Sequence, residues 1–304
     1  MSESMAKPFL KWAGGKSQLL LKFDDYFPSR LKEGKIDTYC EPFLGGGAVF
    51  FYIAQKYTFK KAFLCDFNKE LILTYKVVQR DVDELVEFLY NYDKKYKKLN
   101  EDNRKLFYYE IRNEYNLKGH KINYKKYSSL WAERGAQIIF LNRTCYNGLF
   151  RVNRQGGFNV PFGRYKNPKI VDEENLKKAS SLLKKASIET ADFSKIKTKV
   201  SENSFVYFDP PYKPISETAS FTSYSKCIFD DKEQIRLAEL YKELHGKKVI
   251  LMLSNSDPKN ENKEDDFFDR LYEDYNIYRV DARRVINSNP EKRGLIKELI
   301  IVNY

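Results

Sequence analysis

The sequence predicts an α/β fold in which one central sheet is interrupted by a long helical insert, and three observations carry that expectation. Short apolar runs of strand character end abruptly in acidic or glycine-rich segments. Strand-like and helix-like periodicities alternate over residues 35–70 and again over 185–304. Between them, residues 72–184 form a Lys- and Tyr-rich stretch with apolar residues at helical spacing. The expected division is a discontinuous sheet domain, 1–71 with 185–304, and an inserted domain at 72–184.

In the first strand–helix–strand unit, Glu41-Pro42-Phe43-Leu44-Gly45-Gly46-Gly47 precedes the apolar, helix-like run Ala48-Val49-Phe50. Glycines after a strand let the backbone approach a ligand closely and aim the next helix at it, although the spacing departs from G-x-G-x-x-G. The next strand-like run, Ala62-Phe63-Leu64-Cys65, ends at Asp66-Phe67-Asn68. That places an acid about 20 residues past the glycines, where Rossmann-like sheets hydrogen-bond ribose hydroxyls. The two signals in register point to a nucleoside-type cofactor. Candidate contacts come from Glu41, Pro42, Phe43, Gly45, Gly47 and Asp66, and from Trp12, Ala13, Gly14 and Lys16 in the upstream segment Phe9-Leu10-Lys11-Trp12-Ala13-Gly14-Gly15-Lys16.

Within the insert, Asp81–Tyr92 and Ser128–Phe140 read as helices. The run Tyr92-Asp93-Lys94-Lys95-Tyr96-Lys97-Lys98 alternates bases with aromatics, a pattern we assign to a solvated helix face rather than to DNA. Phe150-Arg151-Val152-Asn153-Arg154 and Phe158-Asn159-Val160-Pro161 alternate across Gln155-Gly156-Gly157, as in a β-hairpin with a glycine turn. A two-stranded ribbon fits the DNA major groove. Arg can donate two bonds to guanine O6 and N7, and Leu or Pro can meet a thymine methyl, so Arg151, Leu149 and Pro161 are candidate base readers. A purely structural hairpin with exposed arginines is the alternative.

The second half of the sheet is expected from the strands Phe205–Phe208, Lys248–Leu253 and Glu298–Val302, with a helix over Lys232–His245. The first of these runs ends in Asp209-Pro210-Pro211-Tyr212. An exocyclic base amine is a poor nucleophile because its lone pair is delocalised, so a catalyst must hold its N–H groups with acceptors. Asp209 offers a carboxylate and Pro210 a carbonyl; the two prolines fix the backbone, and Tyr212 offers a face on which an extruded base can stack. These four are the candidate catalytic residues for methylation of a nucleobase amine, against the alternative of a Pro-rich turn closing a strand. Asp192-Phe193, after another short apolar run, bounds a cofactor adenine in this scheme, with the acid accepting from the adenine amine; a helix cap is the other use of such an acid. Ser254-Asn255-Ser256-Asp257, Asn287-Ser288-Asn289 and Arg293 read as loop-shaping residues near a DNA-facing rim.

Composition agrees with a nucleic-acid partner. The 304 residues include 54 Lys plus Arg against 42 Asp plus Glu, for a net charge of +12, which suits a phosphate backbone. The 22 Phe and 23 Tyr supply a substantial core. No apolar run approaches the ~18 residues needed to span a bilayer, and Met1–Pro8 lacks a signal-peptide core, so a cytoplasmic protein is expected. Cys40, Cys65, Cys145 and Cys227 form no C-x-x-C pair and only two His are present, so no metal site is expected. The cysteines read as reduced. Without a Pro-Cys nucleophile, transfer goes directly to nitrogen rather than through cytosine C5.

Five ordered segments resemble the Dam-type (D12 class) DNA adenine N6-methyltransferases. They are Phe9–Lys16, Glu41–Gly47, Leu141-Asn142-Arg143-Thr144-Cys145-Tyr146-Asn147-Gly148-Leu149-Phe150-Arg151, Gly157-Phe158-Asn159-Val160-Pro161-Phe162-Gly163-Arg164-Tyr165, and Asp209–Tyr212 with the following Phe221-Thr222-Ser223-Tyr224. Thr144-Cys145 replaces a more usual pair, and Gln155-Gly156-Gly157 varies the hairpin tip. The resemblance implies a Rossmann-like S-adenosylmethionine-dependent sheet with a target-recognition insert, acting on double-stranded GATC; a monomer is expected, and protection against a restriction endonuclease, a phage role and marking of DNA for repair or regulation are the alternative settings. It also implies that Trp12 and Lys16 contact the cofactor, that Asp66 holds its ribose, and that Asp209 lies between cofactor and base. Lys11 would touch an outer guanine, Tyr146 and Asn147 would enter the space left by a flipped base, and Arg164 with Tyr165 would grip the backbone. Cytosine N4 methylation, RNA or protein-amine methylation, and a DNA-binding regulator on a decayed enzyme fold are the rival functions.

Overall fold

Apolar strands assemble into one mostly parallel sheet in the computed structural model, which describes residues 5–212, 229–283 and 295–304. Phe221–Tyr224, Cys227, Asn287–Asn289 and Arg293 lie outside the described residues. The strands are β1 (Thr38–Glu41), β2 (Lys61–Asp66), β3 (Ala186–Thr190), β4 (Ser204–Phe208), β5 (Ile250–Ser256), β6 (Asn276–Arg283) and β7 (Leu295–Val302), in the order β3-β2-β1-β4-β5-β7-β6. β7 runs antiparallel between β5 and β6, and the other neighbours are parallel.

The chain leaves β1 in one direction to build β2 and β3, then returns to β1's other side with β4. The topological switch point therefore lies between β1 and β4, the place where open α/β sheets receive ligands beyond their carboxyl ends. Glu41 ends β1, Asp66 ends β2, and Asp209 follows β4.

Burial explains why these runs are strands. Successive residues point to opposite faces, and both faces are covered. Tyr39, Leu64, Phe205, Tyr207, Ile300 and Val302 enter one core, while Cys40, Cys65, Val206, Phe208, Leu299 and Ile301 enter the other.

The first face carries α1 (Leu20–Tyr26) and, after the short α2 (Ser29–Lys32), α3 (Ala48–Lys56) and α4 (Lys69–Arg80). It continues without a break into the insert: α5 (Val82–Lys97), α6 (Glu101–Lys118), α7 (Leu130–Thr144) and α8 (Glu173–Leu183). Residue 72 falls inside α4, whose buried Leu71, Ile72, Leu73, Tyr75, Val77 and Val78 serve sheet and insert together. The second face is covered by α9 (Asp231–Gly246), capped by Asp230 and buried along Leu237, Tyr241 and Leu244, and by α10 (Phe267–Leu271). The expected helices over Asp81–Tyr92, Ser128–Phe140 and Lys232–His245 are α5, α7 and α9. The strand expected from Lys248 begins at Ile250, because Lys248 takes a left-handed turn (φ 59°).

A buried ion pair fastens the insert. Arg134 of α7 donates to both carboxylate oxygens of Glu70 on α4 (3.1 and 2.6 Å), and its guanidinium lies over the Tyr115 ring of α6. Tyr124 donates to the same carboxylate at 2.5 Å. Replacing one partner of a buried pair leaves the other uncompensated. Arg134→Leu should therefore cost about 3 kcal/mol in denaturant unfolding; a loss below about 1 kcal/mol would show that Glu70 is re-solvated when Arg134 is removed.

Candidate active site

The acid that follows β4 is not alone. Asp209 Oδ1 lies 2.7 Å from the Lys16 ammonium and accepts from Ser254 Oγ at 3.3 Å. Lys16, buried at 3% exposure, also lies 2.9 Å from Oε1 of Glu298 on β7. The Tyr212 hydroxyl bonds to both Lys16 and Glu298, and the ammonium sits 4.5 Å from the Tyr212 ring centroid. Behind Ser254, the Tyr207 hydroxyl is 2.7 Å from its Oγ. The Pro211 carbonyl accepts from Gln234 of α9 at 3.2 Å, which fixes the double-proline turn.

Burial pushes the Asp209 carboxyl above the usual carboxylate range, and the Lys16 charge opposes that shift. For Lys16, burial disfavours the charge, but Asp209, Tyr212 and Glu298 outweigh it and hold the ammonium protonated. A fifth of the Asp209 side chain remains open to solvent, so the carboxylate can meet an incoming group.

The glycine loop beside it is shaped by close approach. Gly45 and Gly47 have positive φ (47° and 70°). A Cβ on Gly45 would lie 3.1 Å from the Trp12 ring, and one on Gly47 only 2.5 Å from the Tyr75 hydroxyl. Asp66 braces the loop, accepting from the Gly45 N–H at 3.0 Å and the Asn68 N–H at 2.9 Å. Glu41 is buried and accepts from Tyr39 at 2.7 Å; burial raises its carboxyl far above the ordinary range. Trp12 stacks on Phe150, with centroids 5.4 Å apart. Ala13 and Gly14 are exposed on the same segment, and the Pro42 carbonyl accepts a contact from Cys65 Sγ.

Phe43 packs on Phe193, and both meet Phe229. Asp192 caps the turn after β3 through the Ser194 N–H and grips Arg236 of α9 with both oxygens (2.9 and 2.7 Å), which holds its carboxyl well below the usual range. Its acid thus does serve as a cap, and much of its acceptor capacity is already engaged.

On the insert side, the two arms of the expected hairpin meet at one isolated bridge rather than as a two-stranded ladder. Val152 bridges Phe158, and the Asn153 and Asn159 N–H groups donate to Gly157 and Arg151 carbonyls. Asn116 of α6 holds Phe158 from both its N–H and its carbonyl, and Tyr108 donates to the Val160 carbonyl. Arg151 is half-buried and donates through Nε to Asn159 Oδ1 at 2.8 Å. Tyr146, Asn147, Pro161 and Arg164 are exposed; Leu149 and Tyr165 are half-buried. Asn147 and Arg164 adopt left-handed backbone. Lys11 extends 4.8 Å over the Tyr165 ring.

A profile of the D12 class N6 adenine-specific DNA methyltransferases matches residues 12–286. The chain belongs to that class. It is 52% identical over 299 residues to the Type II methyltransferase M.MjaIII of Methanocaldococcus jannaschii, covering 98% of this chain and 99% of that protein. It is 39% identical to the Type II methyltransferase M1.LlaDCHI of Lactococcus lactis subsp. cremoris, covering 98% of this chain and 95% of that protein. To the DNA adenine methylase of Escherichia coli K12 the identity is 32%, over 97% of this chain and 94% of that protein. The α/β fold, the methyltransferase activity and the DNA substrate expected from the sequence are those of the class.

For this D12 enzyme, some participants were not visible in local sequence. Ser254 and Asn255, expected to shape a loop, are wholly buried within β5, and Ser254 touches Asp209. Asp257 is buried and paired with Arg279. Glu298 read only as the start of an apolar strand. Asn142 of α7, buried, donates to the carbonyls of Lys11 and Gly148 and accepts from the Lys11 N–H, so it joins two of the segments expected to face DNA. Burial pushes the Cys40 thiol up to about 12, so it is a core residue rather than a nucleophile. Among the described residues, no group of three His, Cys, Asp or Glu is placed to hold a metal, and no helix is long and apolar enough to cross a membrane.

Gly47→Ala forces both a left-handed backbone and a collision with Tyr75. A stability loss of about 1–3 kcal/mol is expected in thermal or denaturant unfolding, and an unchanged midpoint would show that the loop can relax.

Proposed function

We propose that this D12 enzyme transfers a methyl group from S-adenosylmethionine to adenine N6 of double-stranded GATC, with Asp209 as the acceptor for the reacting amine. The observation that carries the proposal is the Asp209-centred cluster at the switch point, one partly open carboxylate among buried partners. When bound, S-adenosylmethionine supplies a methyl group activated by sulfonium charge. The residues present fit such a nucleoside: a carboxylate at the end of β2, a loop too tight for side chains, and aromatic surfaces at Trp12, Phe43 and Phe193. Trp12, Ala13, Gly14, Lys16, Glu41, Pro42, Phe43, Gly45, Gly47, Asp66, Asp192 and Phe193 are the proposed cofactor-side residues.

With the base flipped and stacked against Tyr212, Asp209 and the Pro210 carbonyl accept its N–H groups. The N6 lone pair forms the new N–C bond while the C–S bond breaks with its electron pair retained by sulfur. Positive charge therefore appears on N6, where the Asp209 carboxylate stabilises it and takes the surplus proton. No covalent enzyme intermediate is needed.

The division into a catalytic part, 1–71 with 185–304, and a target-recognition part, 72–184, is retained as a functional one. Arg151, Leu149 and Pro161 read bases and Lys11 reads an outer guanine. Tyr146 and Asn147 fill the space of the flipped base, while Arg164 and Tyr165 hold phosphates. The half-burial of Arg151 and its bond to Asn159 support a pre-aimed guanidinium, since a fixed fork loses less entropy on meeting guanine. The relatives named Type II methyltransferases support a restriction-modification setting, in which methylation shields DNA from an endonuclease.

The test is transfer of labelled methyl from S-adenosylmethionine to a duplex with one GATC, beside duplexes altered at single positions, with the modified nucleoside identified by mass. N6-methyladenine confined to the GATC duplex is expected. Label on cytosine, or label independent of sequence, would overturn the specificity. Asp209→Ala should abolish transfer in a protein that still folds, and retained turnover would remove Asp209 from its role. Arg151→Ala should cut discrimination against a single mismatch by about 1–3 kcal/mol, and unchanged discrimination would rule out Arg151 as a reader.

A further inference from the structure

Glu298 is a carboxylate buried at 3% exposure within β7, directly before the apolar run Leu299-Ile300-Ile301-Val302. Burying a charge there is costly unless it is paired. Both its recorded partners lie in the active site: Lys16 Nζ at 2.9 Å and the Tyr212 hydroxyl, on one oxygen. We propose that Glu298 is a positioning residue for methyl transfer, sharing the Lys16 ammonium so that this cation does not cancel the Asp209 charge that meets the adenine amine. The proposal rests on the assignment of Asp209 as the acceptor.

Lys16 stands 2.7 Å from Asp209 and 2.9 Å from Glu298. Were Glu298 absent, Lys16 and Asp209 would form a neutral pair, and the ammonium would cancel the field that must meet the charge developing on N6. With Glu298 present, one cation is shared between two carboxylates, so less of its charge is set against Asp209. The Tyr212 hydroxyl, tied to the same Glu298 oxygen, fixes the ring against which the base would stack.

The other groups facing this cluster are Ser254 and Tyr207, which support Asp209 from β5 and β4, and Glu41 at the end of β1. Burial raises the Glu41 carboxyl far above the usual range, and among the described residues the carboxylates in ion-pair contact with Lys16 are Asp209 and Glu298. Glu298 and burial both raise the Asp209 carboxyl, against the lowering effect of Lys16. Asp209 must be ionised to accept, so turnover falls as pH drops through its raised value. Removing the neighbouring negative charge should move that acid limb to lower pH.

The experiment measures kcat, KM and their pH dependence for Glu298→Gln and Glu298→Asp beside wild type and Asp209→Asn, on the GATC duplex with S-adenosylmethionine. Glu298→Gln keeps an oxygen for Tyr212 and loses only the charge. Its kcat should fall about 10- to 100-fold, with KM for both substrates unchanged and the acid limb shifted down. Glu298→Asp keeps the charge and should retain the wild-type acid limb with faster turnover than Glu298→Gln. Wild-type turnover in Glu298→Gln, or a slow Glu298→Gln with an unmoved acid limb, would overturn the proposal. So would a Glu298→Asp variant matching Glu298→Gln. If thermal melting shows that Glu298→Gln does not fold, Glu298→Ala takes its place as the charge-removing variant: a lowered kcat with the acid limb shifted down supports the proposal, and wild-type turnover or an unmoved limb overturns it. An active Asp209→Asn would overturn the parent assignment and this proposal with it, whereas an inactive Asp209→Asn beside a fully active Glu298→Gln overturns the Glu298 proposal alone.

Discussion

A buried ammonium needs partners, and the way Lys16 finds them organises the site. Its charge is met by Asp209 after β4, Glu298 on β7 and the Tyr212 hydroxyl, so the N-terminal segment, the double-proline turn and the antiparallel strand must converge on one point. Burying such a cluster costs several kcal/mol per ion before pairing, and a well-packed apolar replacement is often as stable. Stability alone therefore gives weak grounds for keeping it. What the cluster provides is a carboxylate held at a defined place, partly open to solvent, with its charge set by neighbours rather than by water.

The sheet supplies the frame. Parallel strands covered on both faces leave their carboxyl ends as the natural place for polar groups, and the order β3-β2-β1-β4 opens a crevice between β1 and β4. Glu41, Asp66 and Asp209 emerge at three of those ends. The insert is not a loosely tethered addition, because its core is continuous with one face of the sheet and the Glu70–Arg134 pair closes the joint. The Asp209 cluster and the insert loops at Tyr146–Tyr165 consequently share one continuous core.

Sequence carried the local part of this and not the rest, for physical reasons. Asp209–Tyr212, the glycine loop and Asp66 were legible because each is a contiguous run in which strand, turn and acid follow one another. β1, β2, β4, β5 and β7 were legible from their apolar runs. The edge strands were less so: β3 was legible only as a short apolar run before Asp192, because it mixes exposed and buried residues, and β6 interleaves Arg279, Asp281 and Arg283 with apolar residues, as edges protected against pairing do. Glu298 was hidden because a charge at the head of an apolar run reads as the strand's wet end. Its meaning depends on β7 being placed beside β5, a long-range pairing that no local period encodes. Ser254 failed likewise, since a Ser-Asn-Ser-Asp tetrapeptide has turn chemistry until burial within β5 overrides it. The bidentate grip of Arg236 on Asp192 depends on the register of α9 against the turn after β3, which the sequence does not give.

The segment from Lys11 to Lys16 ties these levels together. At one end Asn142 holds the Lys11 backbone through two hydrogen bonds, and Gly148 must lack a Cβ because the Lys11 side chain would lie 2.3 Å from it. In the middle, Trp12 packs on Gly45, Gly46 and Phe150. At the other end, Lys16 enters the Asp209–Glu298 cluster. A short segment fixed at both ends and along its length has little freedom to absorb displacement. The loop at Tyr146–Gly148 and the Lys16 ammonium are thus held by the two ends of one packed segment. Misplacement of a reacting group by about 1 Å can cost 10²-fold in rate, so the packing of Lys11–Lys16 against the glycine loop, Phe150 and Asn142 serves the placement of the Asp209 cluster as well as stability.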